Sequence, residues 1–551
     1  MLNRRQFLAA ASVAPAAAAT AAPRARPNII VIITDDQGYG DLSLHGNRDL
    51  ATPHMDSLAN QGAQFTQFQV CPVCAPTRAG LLTGRYNYRT GVVDTYLGRA
   101  LMDTKEVTIA ETLRAAGYRT AIFGKWHLGD NYPLRPGDQG FDEALVINGG
   151  GLAQPGDPPP GQSYFNPVLR RNGKYEKAQG YCTDIFFRET MQFIEKNKTK
   201  PFFIYLPTNA PHTPLQIDEK YSQPYKAKGL DDVTAKIYGM LQNVDENIGK
   251  LQEQLTRLQL RDNTIVVFLS DNGPQQPRFN GGMRGLKTTV YQGGIRVPCF
   301  LQWPARVKPG LKIDRIASHL DLLPTLLAAA GVPLPKVPLD GRSLLPLLES
   351  KSAAWKDRSI HTQWHRGDTP ELFRSHAVRT QRWKLVNGVE LYDMDADPAE
   401  ASNVAAAHPD VVARLRGETE TWFRSVAASR GGYAPPRLAI GYPGENPTLL
   451  TRQDWRGPRA SWEAKGIGYW EVEVLRAASY DVDLLFAPAA AAGTAVFKLG
   501  SLEQSAAFAA GARTVRFSGL RLPVGPGRLE PVLRINGEEF GVQYVEVKQV
   551  S

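Results

Sequence analysis

The chain has 551 residues, 42% of them hydrophobic and 21% charged, with a formal net charge of +10. Its length exceeds one ordinary domain, so a large core with something smaller attached is expected, and the composition excludes global disorder. The positive balance favours anionic substrates by raising their local concentration, but no basic tract with interleaved aromatics is present, which argues against nucleic acid as a partner.

The chain opens on Asn3-Arg4-Arg5-Gln6-Phe7-Leu8, an Ala-rich run and Ala19-Thr20-Ala21-Ala22. A charged segment, an apolar segment and a small-residue cleavage site, in that order, identify residues 1–22 as a signal peptide. The paired arginines before Phe-Leu point to the twin-arginine export machinery and a periplasmic or secreted destination. No other segment is long and apolar enough to span a bilayer, so no membrane anchor is expected.

Asn28-Ile29-Ile30-Val31-Ile32-Ile33 is the β-branched run of a strand buried on both faces, and it ends in Thr34-Asp35-Asp36. Thr52-Pro53 reads as the N-cap and first residue of a short helix closed near Gly62. Cys71-Pro72-Val73-Cys74 follows. With Cys182 and Cys299 the chain has four cysteines, too few for a disulfide framework. There is no second C-x-x-C to complete a metal site and no thioredoxin-like short chain. Pro76 suits the first turn of a helix and Gly84 its end, which puts Cys74 at a helix N-terminus. Free N–H groups there favour an anion, and a thiol there is expected to have a lowered pKa.

Further along, Thr108 to Ala116 reads as a helix stopped by Gly117, and Tyr118 to Phe123 as a strand running into Lys125 and His127. Phe202 to Leu206 is a strand ending at Asn209-Ala210-Pro211-His212, and Thr264 to Leu269 one ending at Ser270-Asp271-Asn272-Gly273. The alternation predicts an α/β domain with a largely parallel sheet. Four strand ends carry ligand-capable groups, and in such sheets ligands bind beyond the carboxyl ends of the strands. The Gly- and Pro-rich loop from Asn148-Gly149-Gly150-Gly151 through Pro160 is expected near the entrance of that site.

From Arg358 to about Ala428, short strand-like runs and a helix from about Pro409 predict a smaller α+β subdomain. Gly431 to Pro447 reads as a linker. Beyond it, period-two runs such as Tyr469–Val474, Tyr480–Leu484, Thr514–Phe517 and Tyr544–Val547 predict a β-sandwich. Trp455, Trp462 and Trp470 read as buried sandwich aromatics rather than a sugar platform. The expected units are 27–345, 346–430 and 448–551.

Cys74-Ala75-Pro76-Thr77-Arg78, closed by Leu82-Thr83-Gly84-Arg85, resembles the C-x-P-x-R signature of the sulfatase family, in the alkaline-phosphatase-like superfamily. Asp35-Asp36-Gln37-Gly38, Gly124-Lys125-Trp126-His127-Leu128-Gly129, Asn209–His212, Ser270–Gly273, Gly285-Leu286-Lys287 and Glu390–Asp393 resemble further family blocks in order. Two positions depart from the pattern. Thr77 stands where Ser is usual, and Gln292 replaces the Glu of Glu-Gly-Gly-x-Arg-Val-Pro, so Gln292 is given no catalytic role.

The resemblance implies a sulfatase acting on an aryl sulfate or sulfated carbohydrate, with Cys74 converted to formylglycine by a formylglycine-generating enzyme. Asp35, Asp36, Asp271 and Asn272 would hold Ca²⁺, with Mg²⁺ as the alternative; their oxygens suit a hard cation rather than zinc, and three crowded carboxylates need a counter-charge. A hydroxyl of the hydrated aldehyde at residue 74 would attack sulfur, and His127 would deprotonate the second hydroxyl. Lys125, Lys287 and His212 would bind sulfate oxygens, Lys287 or His212 would protonate the leaving oxygen, and Arg78 would hold the hydrate. Two rivals stand beside this reading: a phosphomonoester, phosphodiester or phosphonate-ester hydrolase on the same fold, and a non-catalytic Ca²⁺-dependent binder of sulfated glycans.

Overall fold

The computed structural model describes residues 26–350 and 355–550, so the twin-arginine leader lies outside the described residues. Ten strands form the central sheet, in the order Leu311–Ile313, Ala63–Phe65, Cys299–Gln302, Thr264–Ser270, Asn28–Thr34, Phe202–Pro207, Arg119–Lys125, Glu143–Ile147, Val168–Arg171 and Lys174–Lys177. The five strands from Thr264–Ser270 to Glu143–Ile147 run parallel. The expected strands are thus present, and four of them lie side by side.

The continuous apolar run of Asn28–Thr34 has a direct physical reading. Successive side chains point to opposite faces of a strand. Ile29, Val31 and Ile33 enter one core, with the helices Cys74–Thr83, Ile109–Ala115 and Leu322–Ala329. Ile30 and Ile32 enter another, with Pro53–Asn60, Cys182–Asn197 and Asp232–Arg257. Both faces of the sheet are covered, so no alternation with polar residues is possible. Helix entry follows local chemistry too: Thr108 and Glu111 form a reciprocal capping box before Ile109–Ala115.

A second, antiparallel sheet of four strands (Ile360–Gln363, His376–Arg379, Trp383–Val386, Glu390–Asp393) packs under the helix Pro409–Ala428 through Val378, Leu385, Leu391 and Leu415. Two further sheets form the β-sandwich around Trp470, Val472, Tyr480, Phe497 and Leu529. Its core takes in Leu97, Leu101 and Leu134 from the α/β domain, so the two are joined by apolar burial.

The stretch read as a linker is not one throughout. Leu438–Ile440 forms a strand parallel to Trp470–Val474, and Glu445 is buried, accepting from Arg170 and from the Tyr132 N–H at 2.7 Å. The surrounding Gly and Pro hid three apolar residues sufficient for a sheet edge, and the sandwich begins there rather than at 448. Trp455 and Trp470 are fully buried, 5.8 Å apart between ring centroids. Trp462 is only half-buried, packed against the edge of the same core.

Candidate functional site

All ten residues singled out in the sequence converge at one end of the central sheet. Asp35 and Asp36 follow Asn28–Thr34, Asp271 and Asn272 follow Thr264–Ser270, and His212 lies on the loop after Phe202–Pro207. Lys125 ends its own strand, and His127 is two residues beyond. Cys74 is the first residue of the helix Cys74–Thr83, which stops at Gly84 in the left-handed conformation (φ 67°). One ligand atom from each of Asp35, Asp36, Cys74 and Asp271 lies within 4.8 Å of the others.

Each carboxylate has a cationic neighbour. Arg78, one turn into the helix, directs Nη2 (2.7 Å) and Nε (3.2 Å) at Asp271 Oδ2, while its Nη1 donates to the Lys125 carbonyl at 2.9 Å. Lys125 Nζ is 2.7 Å from Asp35 Oδ2, and Lys287 Nζ is 2.6 Å from Asp36 Oδ1. Asn272 donates to that same Asp36 oxygen at 2.7 Å. The crowding of three acids is therefore offset by three side-chain cations, and repulsion alone does not demand a metal ion. A different observation points to one. Asp35 Oδ1, Asp36 Oδ2 and Asn272 Oδ1 are buried without a hydrogen-bond partner among the described residues. Buried acceptors are almost always satisfied, and three orphaned oxygens in one place fit a hard cation.

Burial dominates the protonation states. It would raise the Asp36 carboxyl, yet Lys287 and His212 hold it well below the usual carboxylate range. Burial and the charge of Asp35 push Asp271 up to about 6, against Arg78 and Lys125. Lys287 loses solvation too, but Asp36 and the neighbouring acids keep it above its ordinary value and so charged. His212 falls to about 3 through burial, with Asp36 opposing and Lys287 and Lys125 reinforcing the drop. His127 is held well below its ordinary value by burial and Lys125. Both imidazoles are neutral at pH 7.

The thiol differs from expectation. Its helix position suggested a lowered pKa, but burial pushes Cys74 up to about 12; Lys125 and Lys287 pull it down, and Asp35 and Asp271 push it further up. A helix N-terminus acts on an exposed thiol, whereas this one is 2% exposed between two acids. Cys71 is also a free, buried thiol, 3.8 Å from Asn87 Oδ1 and from His319 Nε2.

Hydrogen bonds assign the imidazole nitrogens. His127 Nε2 meets the Thr95 carbonyl at 2.6 Å, leaving a buried, unpartnered Nδ1. His212 Nδ1 meets the Thr213 carbonyl at 2.7 Å, leaving Nε2 3.9 Å from Asp36 Oδ2. The carbonyls accept, so the free nitrogens carry no proton. Gly150 and Gly151 are explained here as well. A Cβ on Gly150 would come within 2.5 Å of His127 Nε2, and one on Gly151 within 3.1 Å of His212 Cε1.

Gln292 opens the short helix Gln292–Ile295; its N–H donates to Glu400 Oε2 at 2.6 Å, and its buried amide atoms find no partner among the described residues. Over these groups opens a cavity of about 420 Å³, lined by Cys74, His127, His212 and Lys287 at its inner end. The expected entrance loop contributes Gly150 and Gln154. Thr95, Tyr96, Gln275, Thr288 and Arg366 also line it and had no signal in the sequence; Trp462, expected as a buried sandwich aromatic, is instead half-buried in this lining. Thr95 acts through its carbonyl, which any residue possesses, and the others lie far apart in the chain.

A family model described as Sulfatase matches residues 27–332, and one described as N-sulphoglucosamine sulphohydrolase, C-terminal, matches 286–422. Arylsulfatase A of Homo sapiens is 34% identical over 414 residues, covering 69% of this chain and 80% of that protein. N-acetylgalactosamine-6-O-sulfatase of Bacteroides thetaiotaomicron is 32% identical over 482 residues, covering 71% and 92%. Among solved structures, Ps i-CgsB in complex with k-i-k-neocarrahexaose superposes with a TM-score of 0.66 at 32% identity, over 72% of this chain and 93% of that one. The phosphonate monoester hydrolase of Agrobacterium radiobacter shares the fold, with a TM-score of 0.53 at 22% identity over 73% and 96% of the two chains.

Proposed function

The chain belongs to the sulfatase family, with its alkaline-phosphatase-like fold and sulfate-ester hydrolysis, and from that premise we propose how its residues divide the work. In this reading residue 74 is converted from Cys to formylglycine by a formylglycine-generating enzyme. Asp35, Asp36, Asp271 and Asn272 hold a divalent cation, and an irregular cage of carboxylate and amide oxygens suits Ca²⁺ over Mg²⁺. The observation that carries the proposal is the set of three buried, unpartnered oxygens beside Cys74. When present, the cation supplies Lewis-acid polarisation and the aldehyde supplies hydroxyl groups more nucleophilic at neutral pH than a buried, protonated thiol.

The chain's own side chains do the rest. Lys287, kept charged by Asp36, neutralises sulfate oxygens where it lines the cavity, and Lys125 supports it from beside Asp35. Arg78 fixes Asp271 and the end of the Lys125 strand in one hydrogen-bonded unit, so the acids and the lysine keep their spacing. His127, with its proton on Nε2, has Nδ1 free to take a proton from residue 74. His212 and Lys287 flank Asp36 on the other side, and protonation of the leaving oxygen falls to this pair. A low dielectric strengthens each interaction because the groups are buried.

The substrate class in this reading is a sulfated carbohydrate, as in the name of the N-acetylgalactosamine-6-O-sulfatase relative. The Arg4-Arg5 leader supports folding and conversion of residue 74 before twin-arginine export to the periplasm or exterior. No helix among the described residues is long and apolar enough to cross a membrane.

The test is kinetic. Protein coexpressed with the converting enzyme is compared on matched aryl sulfate and aryl phosphate esters, with peptide mass spectrometry of residue 74. The expected result is an aldehyde at 74, Cys71 as thiol, dominant kcat/KM on the sulfate ester, and loss of turnover in C74A. Dominant phosphate hydrolysis, or full activity with an intact Cys74 thiol, overturns the proposal.

A further inference from the structure

One loop of the β-sandwich, anchored in its core by Trp455, also reaches beyond the sandwich. Between Thr448–Thr451 and Trp470–Val474 the chain crosses to the α/β domain and attaches to residues 94–99. The Gly98 N–H donates to the Gln453 carbonyl at 2.8 Å, and Arg456 Nη1 donates to the Gly98 carbonyl at 3.1 Å. Gln453 Nε2 donates to the Thr95 carbonyl at 2.8 Å. Further along the same loop, Trp462 meets Tyr96 edge to face, with ring centroids 4.8 Å apart and planes at 70°. Both rings are half-buried, and both line the cavity that contains Cys74.

A third wall comes from the smaller subdomain. Arg366, between Ile360–Gln363 and His376–Arg379, places its guanidinium 4.5 Å from the Tyr96 ring centroid. Its Nη1 lies 3.1 Å from both oxygens of buried Asp94, which fixes the side chain, while half of its surface stays exposed. Only Nη1 is hydrogen-bonded among the described residues, so other donors of the fork are available. The rest of the outer cavity carries uncharged polar groups: Gln154, Gln275 and Thr288.

None of these groups serves sulfate chemistry. Their combination describes an alcohol instead. Aromatic rings accept the apolar C–H surface of a sugar ring, amides and hydroxyls satisfy its hydroxyl groups, and a guanidinium fork recognises a carboxylate or sulfate. An unadorned aryl alcohol would leave the amides and Arg366 unused. Resting on the sulfatase reading above, we propose that Trp462, Tyr96 and Arg366 form the subsite for the alcohol half of the substrate. That half is a sugar bearing a second anionic group, which faces Arg366. The sandwich is then a wall of the active site, not a separate module.

The experiment uses the full-length, aldehyde-bearing enzyme with 4-nitrophenyl sulfate as reporter. Competitors are singly sulfated hexosamines, their disulfated counterparts, and sulfated hexosamines joined to a uronic acid with its carboxylate free or methyl-esterified. Inhibition constants detect binding whether or not a sugar is turned over. The expected result is that at least one doubly anionic sugar competes about tenfold better than its singly anionic counterpart, and that R366Q removes this advantage. W462A weakens sugar binding about tenfold relative to the KM for 4-nitrophenyl sulfate, and W462F, which keeps a ring against Tyr96, recovers most of that loss. The proposal is overturned if doubly anionic sugars show no advantage in the wild type, or if both R366Q and W462A leave the ratios unchanged. Should W462A unfold the loop, W462F and the exposed Arg366 still decide. Absence of 4-nitrophenyl sulfate turnover would instead sink the sulfatase reading on which the subsite rests.

Discussion

Replacing Lys384 by Met tests how the backing of the site is held. The Lys384 and Glu400 side chains are both fully buried and paired to each other. The second Glu400 oxygen accepts the Gln292 N–H at 2.6 Å, and the turn begun by Gln292 carries the Gly294 carbonyl that receives the Gly273 N–H at 2.9 Å. Gly273 directly follows Asn272, so the ion pair supports the loop proposed to hold a cation. Met fills the stem of Lys without its charge and strands a carboxylate with one backbone donor. Breaking a buried pair from one side costs about 3–5 kcal/mol. The variant can escape by protonating Glu400, and for an ordinary glutamic acid taking up a proton at pH 7 costs about 3–4 kcal/mol, which caps the loss. At about 1 °C per kcal/mol for a chain of this length, the midpoint of thermal unfolding should fall by roughly 3–4 °C at pH 7. Because the escape route takes up a proton, the deficit should shrink by about 1.4 kcal/mol per pH unit below pH 7. K384M/E400Q should recover most of the loss, since a neutral amide needs no counter-charge. Scanning calorimetry of the wild type and the variants at pH 7 and pH 5 measures all of this. A drop below about 1 °C for K384M, or a deficit equal at both pH values, would refute the electrostatic account.

Four further outcomes are expected. Dialysis against a chelator should lower the unfolding midpoint and added Ca²⁺ restore it, by about 2.7 kcal/mol at a hundredfold excess over Kd; D36N should lose that response, and a Ca²⁺-insensitive wild type would count against the site. In unconverted protein, Cys74 has its thiol pushed up to about 12, so iodoacetamide should leave it unlabelled in native protein at pH 8 and modify it after denaturation. His376 is held down to about 3 by burial, against 6.5 for the unfolded chain. Its native state refuses a proton that the unfolded state accepts, so stability falls as pH drops from 6.5 towards 3; H376Q should flatten the urea-measured slope by about one proton, about 1.4 kcal/mol per unit. Finally, Q453A removes one of two hydrogen bonds on the Thr95 carbonyl, and loss of about 0.5–1.5 kcal/mol of orientation at His127 should lower kcat roughly 2–10-fold while KM holds; an equal rise in KM would mean a collapsed cavity instead.

Much of the fold was legible because its causes are local. The β-branched run of Asn28–Thr34 follows from burial on two faces, and Thr108 with Glu111 announces a helix within four residues. The ligand-capable groups were legible for a related reason: a parallel sheet delivers its strand ends to one edge, so Asp35, His127, His212 and Asp271 could be grouped without knowing any distance. What failed involved long-range partners. The Cys74 thiol was read from its helix end alone, and the burial that reverses its pKa comes with Asp271, 197 residues away in the numbering. The need for a cation was read from three acids, and their three partners, Arg78, Lys125 and Lys287, came from separate elements.

The sandwich is the extreme case of this rule and changes what the site is. Sequence texture separates it from the α/β domain, because alternation of period two replaces continuous apolar runs, and a change of texture invites the conclusion that the two parts work separately. Yet the Thr95 carbonyl receives His127 Nε2 from one side and Gln453 Nε2 from the other. A single backbone oxygen, on Thr95, thus joins the proposed base to Gln453, a residue 358 positions beyond Thr95. That oxygen has no side-chain signature, and the Leu97, Leu101 and Leu134 contacts that bring the loop in are ordinary core residues in any one-dimensional reading. Domain boundaries drawn from composition mark where the chain changes its folding habit. They do not mark where the catalytic pocket ends, and here that pocket takes one wall from each of the three parts of the fold: Tyr96, Arg366 and Trp462.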